Sequence, residues 1–460
     1  MIRAFVLVLL LTFGFPMTSS AQSTPLSADH RFDSGLLLLV EESHALPLVE
    51  FQVTLRTGSA HDPADLAGLS RTTARMIRMG TIELSAEVLE EQIDAFGASL
   101  SVEVGSSYTR FSGSVIRRNV GPFFALLGDM LAAPAFREAD LAQVERETLA
   151  ALVDMRDDDR TLAAQAFREA VFGAQHPYGR RIAGTRASVS AITVDAIRRH
   201  WQTHYVASNT IVGFAGDVTG DLAKQLTERA FGAMRAGAAP ADPALDAPRV
   251  TGRRAVVVDK PERTQTQIFL GSAGTRADDP DHFALLVANT VFGGTFTSRL
   301  MREVRSVRGW SYGASSRFGI DRGREAFSMW TFPAVADAVP CVTLELELLE
   351  ALVRDGITAD ELAFAQGYLG NSHAFEVDTA AKRLEQRVDV EVFGLPHDYY
   401  SRYVERLRAV TLDEANAALR ARLSADDLVV VMLATASEVR EALAALPGVR
   451  AVDVVPFDAD

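Results

Sequence analysis

Apolar and polar positions along the chain fall into two similar successions of elements. Leu36 to Glu42 and Leu48 to Arg56 read as strands rich in aliphatic and β-branched residues, joined at His44-Ala45-Leu46-Pro47 as a hairpin-like pair. Asp62-Pro63 opens a helix with proline near its first turn, running through Leu69 and Met76. A second helix spans Ser85 to Phe96 and stops at Gly97. Leu100 to Val104 and Tyr108 to Val115 alternate as strands, and helices follow over Val120 to Ala132 and Glu138 to Asp157. A strand over Thr210 to Ala215 then runs into the turn Gly216-Asp217-Val218.

The stretch Arg235 to Pro248 breaks this pattern. It is rich in proline and alanine, has no periodicity, and reads as a flexible linker. Beyond it the pattern restarts. Ala255 to Asp259 and Thr266 to Gly271 are strands, and Asp279-Pro280 opens an apolar helix that ends at Phe292-Gly293-Gly294-Thr295. Asp62-Pro63 and Asp279-Pro280 stand 217 residues apart, the spacing of a duplicated domain. Thr358-x-x-Glu361 and Thr411-x-x-Glu414 are capping boxes that start later helices, and Leu428 to Leu433 is a last strand. The reading is α+β in two halves of one design: residues 22–234, a linker at 235–249, and residues 250–460.

Composition narrows the function. A net charge of −14 and a pI near 5.2, with no basic stripe, argue against a nucleic-acid or anionic-membrane binder. Met1-Ile2-Arg3, the apolar run Ala4 to Phe15, and Ser19-Ser20-Ala21 form a secretory signal peptide, residues 1–21. Its apolar run is shorter than the roughly 20 residues a membrane helix needs and closes at Pro16. No later stretch reads as a membrane span, so the mature chain is expected to be exported, in the periplasm. The single cysteine, Cys341, cannot form an internal disulfide.

Several motifs occur in a fixed order across both halves. They are Arg56-Thr57-Gly58-Ser59, Met79-Gly80-Thr81, His176-Pro177-Tyr178-Gly179-Arg180 with Gly184-Thr185, and Asn209-Thr210 before Gly216-Asp217-Val218. Gly293-Gly294-Thr295-Phe296-Thr297-Ser298-Arg299-Leu300 and Glu303 to Tyr312 follow. In order and spacing the chain resembles the insulinase/pitrilysin family of zinc peptidases. The resemblance implies two homologous halves, each a mainly antiparallel sheet packed with helices, as in mitochondrial processing peptidase. In that family the helix here containing Gly68 to Met76 carries the inverted zinc motif His-x-x-Glu-His. The motif falls on Arg71, Ala74 and Arg75. A guanidinium offers a metal no lone pair and repels a dication, and alanine cannot serve as a base. The family's further glutamate ligand falls on Leu152, or on Ala151 with a one-residue slip, and neither can ligate. Nearby Glu145 and Glu147 read as a solvated helix face. The chain is therefore expected to bind no zinc.

A second family feature is kept. An arginine and a tyrosine seven residues apart, which in the family help bind the substrate carbonyl and steady its developing charge, match Arg305 and Tyr312, with Gly309 between them. Apart from the family, Arg305 reads as a surface helix residue and Tyr312 as a strand residue packed on the core. An empty zinc helix with a kept Arg/Tyr pair resembles the non-catalytic subunit of bacterial heterodimeric zinc peptidases. That implies a zinc-bearing paralogous partner, peptide substrates that pair with an edge strand, and no cofactor held by this chain. Two other readings stay open: an envelope peptide-binding or scaffold protein, and an autonomous hydrolase whose metal site has moved to His200 and His204. The spacing of that pair suits a metal on a helix, but no acid stands beside it, and packing is the plainer reading. Gly293-Gly294-Thr295 lacks the Lys-Ser/Thr of a phosphate loop. Asp154 to Asp159 lacks the glycine and closing glutamate of a calcium loop and reads as a solvated helix end.

Overall fold

Two six-stranded sheets carry the chain. The computed structural model describes residues 26–459, so the signal peptide read over residues 1–21 lies outside the described residues. The first sheet contains β1 (Leu26–Arg31), β2 (Leu37–Glu42), β3 (Leu48–Leu55), β4 (Ala98–Val104), β5 (Thr109–Ile116) and β6 (Thr210–Gly216), in the order β1-β2-β6-β3-β5-β4. The second contains β7 (Arg253–Asp259), β8 (Gln267–Ala273), β9 (Ala314–Phe318), β10 (Ala326–Thr331), β11 (Val429–Ala434) and β12 (Val449–Pro456), in the order β12-β7-β11-β8-β10-β9. Five strands correspond in order and sense. A parallel pair, β2 with β6 or β7 with β11, is extended by antiparallel neighbours on one side. This is the topology of a duplicated domain. Only the outer strand differs: β1 runs antiparallel to β2, whereas β12 runs parallel to β7.

The hairpin expected between β2 and β3 does not form. Strand β6 lies between them, parallel to β2 and antiparallel to β3. The connection has no Asn-Gly or Gly pair to reverse the chain tightly. Strands β2 and β6 are buried along nearly their whole length, as central strands covered on both faces are.

The helices of the first half are α1 (Leu69–Arg78), α2 (Ala86–Ala95), α3 (Val120–Ala132) and α4 (Glu138–Asp154), followed by α5 (Asp159–Phe172). The first helix starts later than Asp62-Pro63 suggests. A single 3-10 turn at Ala64–Leu66 comes first, and Gly68, at φ 97°, breaks it from α1. A side chain at that φ would be strained, and glycine is not. The carboxylate of Asp62 then accepts the Gly68 and Ser70 amides at 3.0 and 2.9 Å, satisfying donors the helix end leaves open. Both predicted capping boxes are present, at Thr358 with Glu361 and at Thr411 with Glu414.

One face of each sheet builds its own half's core. Phe51, Phe111 and Phe214 pack under Phe123 and Phe124 in the first, and Ile268, Leu270 and Met432 pack under Leu285 and Phe292 in the second. The opposite faces are covered by exchange. Helix α5 lays Leu162, Phe167 and Val171 on Val256, Phe269 and Val431 of the second sheet. The helix Ala380–Phe393 returns the arrangement, laying Leu384 and Val388 on Leu37, Leu39 and Ile211 of the first. Gly213 lets it sit close, since a Cβ there would lie 2.9 Å from Leu384 Cδ1. Charges follow the same exchange. Buried Glu41 accepts from Arg383 at 3.0 Å and Arg387 at 2.7 Å, and both oxygens of Glu325 accept from Arg168 at 2.9 Å. Residues 235–249 form no helix or strand, yet Asp242 pairs with Arg322 and Leu245 packs against the core beneath α5. The carbonyls of Arg235 and Gly237 also accept from the Ala207 amide at 3.0 Å and Ser208 Oγ at 2.6 Å, so the linker is pinned along its length.

One buried carboxyl has a measurable consequence. Glu345, on the helix Val335–Asp355, is wholly buried, and neither carboxyl oxygen has a hydrogen-bond partner among the described residues. Burial pushes its pKa up from 4.5 to about 8. The folded chain therefore holds this proton more tightly than the unfolded chain. Stability from this group is full below pH 4.5 and falls as pH rises toward 8. Replacing Glu345 by leucine removes the buried polar group. Glu345→Leu is expected to raise Tm, with a margin over the native chain that widens from pH 5 to about pH 8. Thermal melts across that range check it; a margin that stays flat or reverses would discard the burial argument.

Candidate functional site

Helix α1 presents two faces. Leu69, Thr73, Met76 and Ile77 are buried in the core together with Ala74, while Arg71, Arg75 and Arg78 follow one another at helical spacing on the side facing a cleft. The cleft has a volume of about 860 Å³ and is also lined by Val102 and Val104 of β4 and by Glu90 of α2. Strand β4 is an edge of its sheet, so its outer backbone groups have no strand beside them.

The three guanidiniums differ in their partners. Arg75 reaches α4, donating to Thr148 Oγ1 at 2.6 Å, to Glu147 Oε2 at 2.5 Å and to the Val144 carbonyl at 3.4 Å. Arg78 donates to Glu90 Oε1 at 2.5 Å. The half-buried Arg71 guanidinium has no hydrogen bond or ion pair among the described residues, and burial together with the like charge of Arg75 pushes its pKa down. Glu147 corrects one expectation: it is not a bare solvated face but the acid that ties α1 to α4. Glu145 also has a partner, accepting from Ser190 Oγ at 2.7 Å.

Zinc does not fit here. Ala74 is fully buried and offers no donor, Arg71 and Arg75 bring only positive charge, and Leu152 on α4 is apolar and half-buried. Among the described residues no group of three or more His, Cys, Asp or Glu side chains is placed to hold a metal ion.

His200 and His204 lie behind α1, on the helix Val194–His204, and both are buried. Their rings stand 4.4 Å apart, and that of His61 is 5.2 Å from His204. His200 Nε2 lies 3.3 Å from Ser70 Oγ, and His204 Nδ1 lies 3.2 Å from Thr57 Oγ1. Burial pushes both pKa values down, that of His204 to about 4, so these rings are neutral packing groups at pH 7. Sequence spacing alone could not show His61 and Ser70 beside them, because those contacts join distant segments.

The remaining motifs do structural work. Tyr178 is buried, and its hydroxyl accepts from the Gly323 amide of the other half at 2.8 Å. Arg180 donates to the carbonyls of Asp62 and Ala60, holding the turn before α1. Asp158 caps α5 by accepting from the Thr161 amide at 3.0 Å, and Asp159 pairs with Lys260 of the second half at 2.6 Å. The acidic run is therefore a cap and a bridge between halves, more than a solvated end. Gly293-Gly294 closes the helix His282–Phe292, with the Gly293 amide donating to the Asn289 carbonyl at 2.9 Å.

Arg305 lies in a wide π-helical turn, Arg302–Val307. Gly309, at φ 68°, then turns the chain toward β9. Tyr312 precedes that strand. It is 81% exposed and not packed on the core. The Arg305 guanidinium sits 4.4 Å from the ring centre of Phe296, itself 68% exposed. Neither the Arg305 guanidinium nor the Tyr312 hydroxyl makes a hydrogen bond or ion pair among the described residues. Their donors are open to solvent and to any ligand that arrives.

Known proteins share this fold. The family model described as insulinase, peptidase family M16, matches residues 37–186, and that described as the peptidase M16 inactive domain matches residues 191–369. An uncharacterised zinc protease of Mycobacterium bovis is 27% identical over 392 residues, covering 85% of this chain and 89% of that protein. A protein of Helicobacter pylori named as a non-peptidase homologue is 22% identical over 427 residues, covering 93% of this chain and 97% of its own. Among solved structures, a peptidase M16 inactive domain from Pseudomonas fluorescens matches with a TM-score of 0.82 at 21% identity, covering 94% of this chain and 99% of that one. The periplasmic protease PqqL of Escherichia coli matches with a TM-score of 0.75 at 15% identity, covering 91% of this chain but only 49% of PqqL. Matched by family models in both halves and lacking every zinc-motif side chain, the chain belongs to the insulinase family, peptidase family M16, as a degenerate member.

Proposed function

We propose that this chain is the non-catalytic subunit of a two-chain zinc peptidase in the periplasm. It binds peptide and presents Arg305 and Tyr312 to an active site whose zinc and base belong to a paralogous partner. The observation that carries the reading is the contrast within one chain. The zinc-motif positions hold Arg71, Ala74, Arg75 and Leu152, while in the other half the Arg305 guanidinium and the exposed Tyr312 hydroxyl have no hydrogen-bond or ion-pair partner among the described residues. A guanidinium and a phenol suit a peptide carbonyl oxygen as it gains charge, because both donate and neither needs to lose a proton. PqqL, about twice the length of this chain, supports the two-unit arrangement and the compartment.

The test is peptide cleavage with zinc analysis, on the purified chain alone and mixed with a relative bearing an intact His-x-x-Glu-His. The expected result is no stoichiometric zinc and no cleavage alone, with cleavage appearing or rising in the mixture. Zinc at one per chain with chelator-sensitive cleavage would overturn the reading in favour of an autonomous hydrolase. Silence in both samples would leave a peptide-binding scaffold.

A further inference from the structure

Of the three arginines in the α1 stripe, Arg71 alone has no acidic partner among the described residues. Arg75 is held by Glu147 and Arg78 by Glu90. The other carboxylates of the cleft are engaged elsewhere: Glu103 accepts from the Tyr108 hydroxyl at 2.6 Å, and exposed Glu87 accepts from Ser85 Oγ at 3.1 Å. A half-buried guanidinium with no acid paired to it among the described residues and a like charge beside it destabilises the free protein. A carboxylate placed against it would remove that cost and gain a charge-assisted, two-pronged pair. The same cleft is lined by Val102 and Val104 of β4, whose outer edge can take an extended chain.

We propose that the cleft over α1 is a carboxylate receptor: an extended peptide lies beside β4 and places an acidic group on Arg71. The position that carries a zinc ligand elsewhere in the family has here become a specificity residue for acidic peptide. The carboxylate is that of an Asp or Glu side chain or of a peptide C-terminus. This inference rests on the reading of the chain as a peptide-binding subunit, and its test separates the two.

Isothermal titration of the full chain with three N-acetylated, extended octapeptides decides it. One carries an internal Glu and a C-terminal amide, the second replaces that Glu by Gln, and the third is the Gln peptide with a free C-terminus. At least one carboxylate-bearing peptide is expected to bind about tenfold more tightly than the neutral one, the value of a charge-assisted hydrogen bond. Whichever does so identifies the source of the carboxylate. Arg71→Gln is expected to abolish that preference, leave the neutral peptide's affinity unchanged, and melt no lower than the native chain. Arg71→Lys, keeping the charge without the fork, should retain only part of the preference. Equal binding of all three peptides, or a preference that survives in Arg71→Gln, overturns the receptor while leaving peptide binding intact. No binding of any peptide overturns both.

Discussion

Tyr312→Phe in the assembled two-chain peptidase is expected to lower kcat by about 10²-fold, the usual cost of removing one oxyanion donor. KM and zinc content should stay close to those of the native complex. The substitution isolates the hydroxyl. The ring is kept, and because the tyrosine is largely exposed and its hydroxyl makes no hydrogen bond among the described residues, loss of that hydroxyl leaves no buried group of theirs unsatisfied. The chain should therefore fold, assemble and melt as before, and a fall in turnover reports the chemistry alone. Single-turnover cleavage of a peptide by matched complexes measures it. Unchanged turnover would sink the role assigned to Tyr312, and a rise in KM with kcat preserved would make it a binding residue instead.

Phe167→Ala is expected to destabilise the whole chain by about 3–5 kcal/mol, the range for emptying an aromatic site in a core. Phe167 belongs to α5, yet it stacks on Phe269 of the second sheet, ring centres 5.7 Å apart. Leu384 makes the mirror contact on the first sheet. Each half covers a sheet face of the other, so neither can open without exposing apolar surface in both. The native chain should melt in one transition despite its length, and Phe167→Ala should lower that transition for both halves together. Trp201 reports on the first half, and Trp310 and Trp330 on the second. Two separated transitions in the native chain, or a shift confined to the tryptophans of one half when the other half's are replaced by phenylalanine, would show that the exchange does not couple the halves.

These outcomes bear on how the fold can be read. Periodicity located most strands and helices α1 to α4, and capping boxes marked two later helices, because alternation and capping are local; α5 and the helix Ala380–Phe393 were not among those read. The duplication was legible because Asp62-Pro63 and Asp279-Pro280 mark corresponding places. The hairpin of β2 and β3 was misread because β6, which separates them, comes from far along the chain. The start of α1 was placed too early because Gly68 breaks the turn that Asp62-Pro63 begins.

Residue chemistry by itself determined that no zinc site of the family's kind can form at Arg71, Ala74, Arg75 and Leu152, since ligation needs lone pairs that these side chains lack. It also determined that the chain is built from two like halves. Only tertiary structure decided that the halves exchange α5 and the Ala380–Phe393 helix, that Glu147 takes Arg75, that Arg71 has no acidic partner among the described residues, and that Tyr312 stands exposed. The reason is physical. Ligating capacity and backbone propensity belong to a residue and its near neighbours, whereas pairing and exposure depend on which distant segment packs against it.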